Sequence, residues 1–323
     1  MFFEGSEKKV EIVINPALFS LINDISDEFW HKLVSCANAK ILSTIQNDTC
    51  KAFILSESSL FVWHDRFIIL TCGVTHLVNA IEYFIQQKGV NCIEYLSYQR
   101  KNEYYSHAQP SCFGDDIKVL NQYVTGKALR FGEMDSHHTF LFYYQKAEIT
   151  QSLTKTQDKV YELLAYQISD KASEKLTSPK LTAKEIRIFL QLDDLLPEFT
   201  LDDHVFSPYG YSVNAILANK YLTIHVTPQA ESSYVSFESN INLIELAPII
   251  LKVLEPKSFD LLSFNEAEFT PLIKQYIDDV YVSKSLVEQR LDNGCLVNFA
   301  NYVLPQTEFI NATTFNLLDA RNI

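Results

Sequence analysis

Glycine is scarce in this chain, with eight in 323 residues. So few argue against the glycine-rich turns of a nucleotide-binding architecture and for sheets with broad packed faces. The six cysteines, Cys36, Cys50, Cys72, Cys92, Cys112 and Cys295, contain no Cys-x-x-Cys pair, so no metal or dithiol motif is signalled. No apolar run approaches the roughly 20 residues of a membrane helix. Acids and lysines appear within the first eleven residues, unlike a signal peptide. These absences lead to the expectation of a reduced, cytoplasmic protein with no membrane contact and no metal. Cations are also short. Lys and Arg number 27 against 40 Asp and Glu, a net charge of −13. A nucleic-acid binder needs the opposite surface, whereas a cationic ligand suits this one.

What is present is apolar and aromatic. Hydrophobic residues make up 47% of the chain, with 22 Phe and 17 Tyr, enough for a large core in one extended fold or in two similar halves. Lys9–Asn15 alternates Val10, Ile12 and Ile14 with polar residues, the period of a half-buried strand. Lys51–Ser56, Leu60–Trp63, Phe67–Thr71 and Phe140–Tyr144 also read as strands, and Thr75–Lys88 and Asp115–Val124 as helices. The chain turns polar around 146–156, which divides it into halves of about 1–147 and 157–323. Beyond it, Gln157–Ile168 reads as a helix, and Thr182-Ala183-Lys184-Glu185 is a capping box opening another. Tyr211–Ala215 with Tyr221–Thr227 suggests a hairpin. Tyr234–Glu238 and Phe259–Phe264 add strands, and Leu243–Leu254 a helix. Helices gathered on one face of an antiparallel sheet make an α+β layer, and two such layers make a four-layer sandwich.

Three segments embed short polar residues in apolar strands. They are Phe2-Phe3-Glu4-Gly5-Ser6-Glu7-Lys8; Leu55-Ser56-Glu57-Ser58-Ser59-Leu60, continued by Thr71-Cys72-Gly73; and Phe206 to Ser212, continued by Ile224-His225-Val226-Thr227-Pro228. Each alone has an ordinary explanation: a polar strand end, a small buried thiol, a satisfied structural histidine. Serine and histidine together also suggest a hydrolase, but Gly210-Tyr211-Ser212-Val213-Asn214 lacks the second glycine of a nucleophile elbow.

Taken together, and with Ser233-Tyr234-Val235-Ser236-Phe237-Glu238, these segments closely resemble the eukaryotic-type, pyruvoyl-dependent S-adenosylmethionine decarboxylases, in order and spacing, to at least Phe264. The resemblance implies an αββα sandwich of two antiparallel sheets in a single domain of two halves. It implies self-cleavage between Glu57 and Ser58. In that reaction Ser58 attacks the preceding carbonyl, and His225, supported by Ser212, removes the Cα proton. A covalently bound pyruvoyl group derived from Ser58 is left behind. That group would form a Schiff base with the substrate amine and serve as electron sink, with no need of pyridoxal phosphate. The product would be the aminopropyl donor for spermidine and spermine.

Other roles follow by the same resemblance. Cys72 matches the proton donor, and Glu4 and Glu7 match active-site acids. Phe3 and Phe206 match rings that sandwich the adenine, with Glu57 and Gln229 completing the substrate contacts. Gln229 stands where the family has a ribose-binding glutamate, so a charge-assisted bond is lost; Glu231 could substitute. Glu11, Asp158, Glu162 and Glu238, with Arg100 and Phe264, match an acidic pocket that binds putrescine, implying a diamine activator. Leu70 stands where a lysine is expected. A homodimer is compatible with the family. A catalytically dead regulatory paralogue is the alternative, but such a protein should lose the cleavage serine or its helpers, and Ser58, Ser212 and His225 are all kept.

Overall fold

The computed structural model describes residues 5, 7–56, 58–146, 159–229 and 233–312. Its first sheet contains β1 (Lys8–Ile14), β2 (Ile41–Gln46), β3 (Lys51–Leu55), β4 (Ser58–Val62), β5 (Arg66–Thr71), β6 (Ile93–Lys101), β7 (Lys127–Gly132) and β8 (His138–Gln145). Helices α1 (Asp27–Cys36), α2 (Leu77–Lys88) and α3 (Phe113–Leu120) lie between these strands in sequence. The second sheet contains β9 (Val160–Tyr166), β10 (Thr200–Val205), β11 (Tyr211–Leu217), β12 (Lys220–Thr227), β13 (Tyr234–Ser239), β14 (Ser258–Phe264), β15 (Val282–Arg290) and β16 (Leu296–Val303). With it come α4 (Asp170–Leu176), α5 (Ala183–Phe189), α6 (Leu192–Leu195), α7 (Leu243–Leu254) and α8 (Phe269–Tyr276).

The strand orders are β2-β3-β4-β5-β1-β6-β8-β7 and β10-β11-β12-β13-β9-β14-β16-β15. The second order is the first advanced by eight strands, so the two sheets share one topology although no repeat is legible in the residues. Neighbouring strands are antiparallel throughout. Alternation along the central strands sorts their side chains into layers. Val10, Ile12 and Ile14 join Leu60, Val62, Phe67 and Ile69 in a core against α1 and α2. Leu163, Val213, Ile224 and Phe237 build the matching core under α7. The opposite faces meet one another. Tyr95, Leu141 and Tyr143 of the first sheet pack on Leu262, Phe264 and Phe299 of the second, and Phe61, Ile68 and Leu70 pack on Ile216 and Tyr221. The result is the expected α+β sandwich of layers αββα. None of the described helices is long and apolar enough to cross a membrane.

Most of the strand and helix assignments hold to within a few residues, and the Thr182–Glu185 capping box is formed in both directions. Two expectations are overturned. The helix over Gln157–Ile168 is replaced by β9, a strand buried along its whole length between β13 and β14. A short apolar run reads equally as a buried strand or a helix, and here pairing on both edges decided. Strand β1 is not half-buried. It lies between β5 and β6, and Lys9 is only 6% exposed, because its polar face meets the other sheet. Of the anticipated division at 146–156, residues 147–156 lie outside the described residues.

Candidate active site

Strand parity carries the polar residues of the motifs into the space between the sheets. On β11, Tyr211, Val213 and Ala215 face the helices, which sends Ser212 and Asn214 inward. On β12 the same alternation sends Thr223 and His225 inward. Ser212 and His225 are directly opposite in the β11–β12 register, and Ser212 Oγ lies 2.8 Å from His225 Nδ1. From the first sheet, Ser58 Oγ reaches 2.8 Å from His225 Nε2. Both imidazole nitrogens are therefore engaged by serine hydroxyls. Burial pushes the ring down to about 3, so the histidine is neutral at ordinary pH and able to accept a proton.

Ser58 and Ser59 are adjacent, yet both approach His225. Ser59 Oγ lies 3.3 Å from Nε2 and 2.6 Å from Asn214 Oδ1. In a regular strand consecutive side chains point to opposite faces, and Ser58 would go outward with Leu60. It turns inward because its φ is 143°, in a region that L-residues avoid at a cost of about 1–3 kcal/mol. The backbone of Ser58 at the start of β4 is thus held in a strained conformation beside the His225 imidazole. Ser59, Asn214 and Thr223, whose Oγ1 is 2.9 Å from Nε2, were not singled out from sequence. The available signal was their place at inward positions of the same strands.

A cavity of about 370 Å³ opens on this cluster, lined by Ser58, Cys72, Phe206, Ser212, His225 and Gln229 among others. It thus gathers the described residues assigned to cleavage, proton donation and base stacking. Cys72 is 8% exposed at the end of β5. The turn after it needs Gly73 at φ 64°, a left-handed conformation that glycine adopts without penalty. Buried Lys8 donates to the Gly73 carbonyl at 3.0 Å, so this lysine, also missed from sequence, pins the cysteine loop. The main chain of Gln229 is fixed by Ser233, whose Oγ accepts from Gln229 N at 3.0 Å.

Glu7 accepts a hydrogen bond from Ser236, the cross-strand partner of His225. A Cβ at Gly5 would come within 2.8 Å of the Tyr234 ring, so glycine lets this segment lie against β13. Burial, opposed by the Ser236 bond and reinforced by Glu238 and Glu162, raises Glu7 to about 8. A raised carboxyl binds its proton more tightly folded than unfolded, so its stabilising contribution fades as pH rises from about 4.5 to about 8. Glu7→Gln keeps the neutral shape. It is expected to melt at the parental temperature at pH 4.5 and above it at pH 8. The gain should be on the order of 1–2 kcal/mol, moderated by solvent at the partly open site. A thermal melt at both pH values is the measurement, and equal melting at pH 8 would show that Glu7 ionises normally.

Of the six residues assigned to an acidic pocket, five are described, and Arg100 lies apart from the other four. Glu162 and Glu238 are cross-strand neighbours facing the first sheet, and Lys9 inserts between them, its Nζ 2.9 Å from Glu162 Oε1 and 2.7 Å from Glu238 Oε2. The same ammonium lies 5.5 Å from the Phe264 ring. Glu11 is on the same face of β1, 4.0 Å from Arg66. Arg100 is not with them. Its neighbours Leu96 and Tyr98 on β6 belong to the helix-side core, and its guanidinium pairs with Asp116 at 2.6 Å and Glu103 at 2.8 Å. Gln99, one residue earlier, reaches Glu162 instead, at 3.1 Å. A single step along a strand reverses the face. Phe3, Glu4, Glu57, Asp158 and Glu231 lie outside the described residues.

Comparison with known proteins adds a family. The model of the family described as adenosylmethionine decarboxylase matches residues 1–309. The S-adenosylmethionine decarboxylase proenzyme of Leishmania donovani is 31% identical over 292 residues, covering 85% of this chain and 76% of that protein. That of Trypanosoma cruzi is 32% identical over 280 residues, covering 81% and 75%. That of Drosophila melanogaster is 30% identical over 273 residues, covering 78% and 79%. Among solved structures, the Trypanosoma brucei AdoMetDC-delta26 monomer aligns with a TM-score of 0.57 at 25% identity, over 76% of this chain and 99% of that one.

Proposed function

This chain belongs to the adenosylmethionine decarboxylase family, and from that membership we propose that it makes its own catalytic group by breaking the bond between Glu57 and Ser58. Its reaction is the decarboxylation of S-adenosylmethionine. The observation that carries the self-cleavage is the pair of 2.8 Å contacts that His225 makes through its two ring nitrogens, to Ser58 and to Ser212.

The steps follow from those contacts. Ser58 Oγ, oriented by its hydrogen bond with Nε2, attacks the Glu57 carbonyl, and its proton ends on the nitrogen of residue 58. The C–N bond breaks, the amine of residue 58 is freed, and the peptide becomes an ester. His225, neutral and held by Ser212, then takes the Cα proton of residue 58. The ester oxygen leaves with the Glu57 carboxylate, and addition of water with loss of ammonia leaves a ketone at residue 58. The strained φ at Ser58 favours departure from the precursor geometry.

The surroundings of Ser58 fit a pyruvoyl group, because residue 58 already fronts the substrate-sized cavity beside Cys72. When present, that group supplies a ketone able to condense with the substrate amine and to accept the electrons released as carbon dioxide departs. The chain supplies the rest. Cys72 holds a proton at Sγ for delivery to the substrate Cα. Phe206 offers a ring face to the adenine, with Phe3 proposed for the other face. Gln229 offers an amide where a carboxylate would bind ribose more strongly. Glu7 favours a cationic sulfonium when ionised. The two halves of the chain make one catalytic unit. The cytoplasm is the proposed location, supported by six cysteines none of which forms a disulfide.

The experiment is release of labelled carbon dioxide from carboxyl-labelled S-adenosylmethionine by purified protein, run beside Cys72→Ala. The parent should release label. The alanine variant should split normally but turn over at least about 100-fold more slowly, the usual scale of a lost general acid, and should lose activity progressively over successive turnovers. An unchanged rate would remove Cys72 from the mechanism, and an inactive parent that has split would sink the substrate assignment.

A further inference from the structure

We propose that Thr223, Ser59 and Asn214 form a hydroxyl relay that stabilises His225 once it has taken the Cα proton of residue 58, standing in for the carboxylate that would usually partner such a histidine. The inference rests on the self-cleavage proposed above and adds the residues that position its base.

The need for it comes from the surroundings of the ring. Burial is the one cause that depresses His225, with no charged neighbour acting on it. The titratable groups nearest to it are Cys72, on the same cavity, and Glu7, which bonds Ser236 opposite the histidine on β13. A neutral ring in such a place is a weak base, because its protonation creates a buried cation without a counter-charge. The elimination nevertheless requires that cation. Nε2 takes the Cα proton, the C–H electron pair becomes the Cα–Cβ double bond, and the Cβ–O pair departs with the Glu57 carboxylate. Oxygen lone pairs already aimed at the ring can stabilise the charge as it forms.

Both nitrogens face such oxygens. Ser212 Oγ, 2.8 Å from Nδ1, can accept from the Nδ1 proton. On the other side Thr223 Oγ1 lies 2.9 Å from Nε2. Ser59 Oγ is 3.1 Å from Thr223 Oγ1 and 2.6 Å from Asn214 Oδ1. An amide oxygen has no proton, so Ser59 donates to Asn214 and keeps its own oxygen as an acceptor. Thr223 can therefore give its proton either to Nε2 or to Ser59, and rotation of the hydroxyl about its C–O bond exchanges the two. Before the transfer it can donate to Nε2. Afterwards Nε2–H donates to Thr223, Thr223 to Ser59 and Ser59 to Asn214. Every bond then points away from the cation, and bonds in such a chain strengthen one another.

The fold aligns the members and keeps water from competing. Asn214 and Thr223 are directly opposite in the β11–β12 register, one inward position along from Ser212 and His225. Ser59 reaches them from β4 of the other sheet, and all three are buried. Asn214 also carries an unexplained cost. Its Nδ2 has no hydrogen-bond partner among the described residues, and a buried orphan donor is destabilising. A leucine of similar size would avoid that cost. The amide is kept for its oxygen, the acceptor that ends the relay and sets its direction. Thr223, Ser59 and Asn214 are therefore positioning residues, acting on the reaction through His225.

The test separates the two chemical steps. Parent, Thr223→Val, Thr223→Ser and Asn214→Leu are followed for chain splitting by mass spectrometry and for the ester by hydroxylamine cleavage. Valine keeps the shape of threonine without its hydroxyl. Thr223→Val should form the ester as the parent does but complete splitting at least about tenfold more slowly, the scale of losing a hydrogen bond to a charged group. Hydroxylamine-sensitive chain should accumulate in it. Thr223→Ser returns the hydroxyl and should split within about threefold of the parent. Asn214→Leu should accumulate ester too, whereas a merely structural asparagine would tolerate leucine, which removes the orphan donor. Should Thr223→Val fail to fold, Asn214→Leu decides by the same two readouts. The relay is overturned if Thr223→Val splits at the parental rate, if it slows without accumulating ester, or if serine does not restore splitting. A parent that never splits would overturn the self-cleavage itself; a splitting parent with an unaffected Thr223→Val would overturn the relay alone.

Discussion

Ser58→Ala is expected to leave a single chain of 323 residues where the parent yields chains of 57 and 266. Alanine removes the one hydroxyl that both bonds His225 and belongs to the residue following the scissile bond. Ser59 offers no substitute. Its hydroxyl is near the same nitrogen, at 3.3 Å, but the equivalent attack from Ser59 would strike the carbonyl of residue 58 and cut one bond too late. The backbone strain at residue 58 remains in the variant, so strain without a nucleophile is tested at the same time. The loss should be on the order of 10³-fold or more in cleavage rate, the scale of removing a nucleophile whose base is intact. Mass spectrometry of the purified protein is the measurement, and a Ser58→Ala chain that still splits after residue 57 would refute the assignment.

Replacing His225 should stop the reaction one step later. The first shift, from amide to ester, needs Ser58 and a strained bond. The elimination that follows needs a base at the Cα of residue 58. His225→Ala should therefore accumulate an ester-linked chain that hydroxylamine cleaves into the same two pieces, whereas Ser58→Ala should give none. Because burial holds the ring at about 3, the parental imidazole stays unprotonated from pH 8 down to pH 5. Its processing rate should show no inflection near 6.5, the ordinary histidine value. An inflection there would mean that water reaches the ring. If the variant gave no hydroxylamine-sensitive species, His225 would be needed from the first step.

The motif residues were legible because the chemistry lies in short contiguous stretches. Leu55 to Leu60 holds the proposed nucleophile, and Tyr211-Ser212 with Ile224-His225 holds the proposed base and its support. Pairing β11 to β12 only had to set two inward residues opposite each other, which a tight hairpin does through local geometry. The acid cluster was legible in part. Glu162, Glu238 and Phe264 do converge, but Arg100 turns to Asp116 and Glu103 on the other face while Gln99 meets Glu162, and Lys9, which joins the two acids, was passed over. Lys9 sits in a strand whose polar positions looked solvent-exposed, since alternation shows that two faces differ and not what covers the second one.

By itself the sequence determined the residue chemistry, the alternating patterns of most strands, the α+β class and the family, all of which depend on neighbours within a few positions. Tertiary structure decided what depends on register and on the second layer. It made 160–166 a strand, because both edges of that run found partners. It turned the polar face of β1 inward, because a second sheet lies over it. It set Gln99 rather than Arg100 against Glu162, and it brought Ser58 to His225 from another sheet. A periodicity of two assigns sides, but only the pairing of strands far apart in the chain determines which sides meet, and at what distance an ammonium lies from a carboxylate.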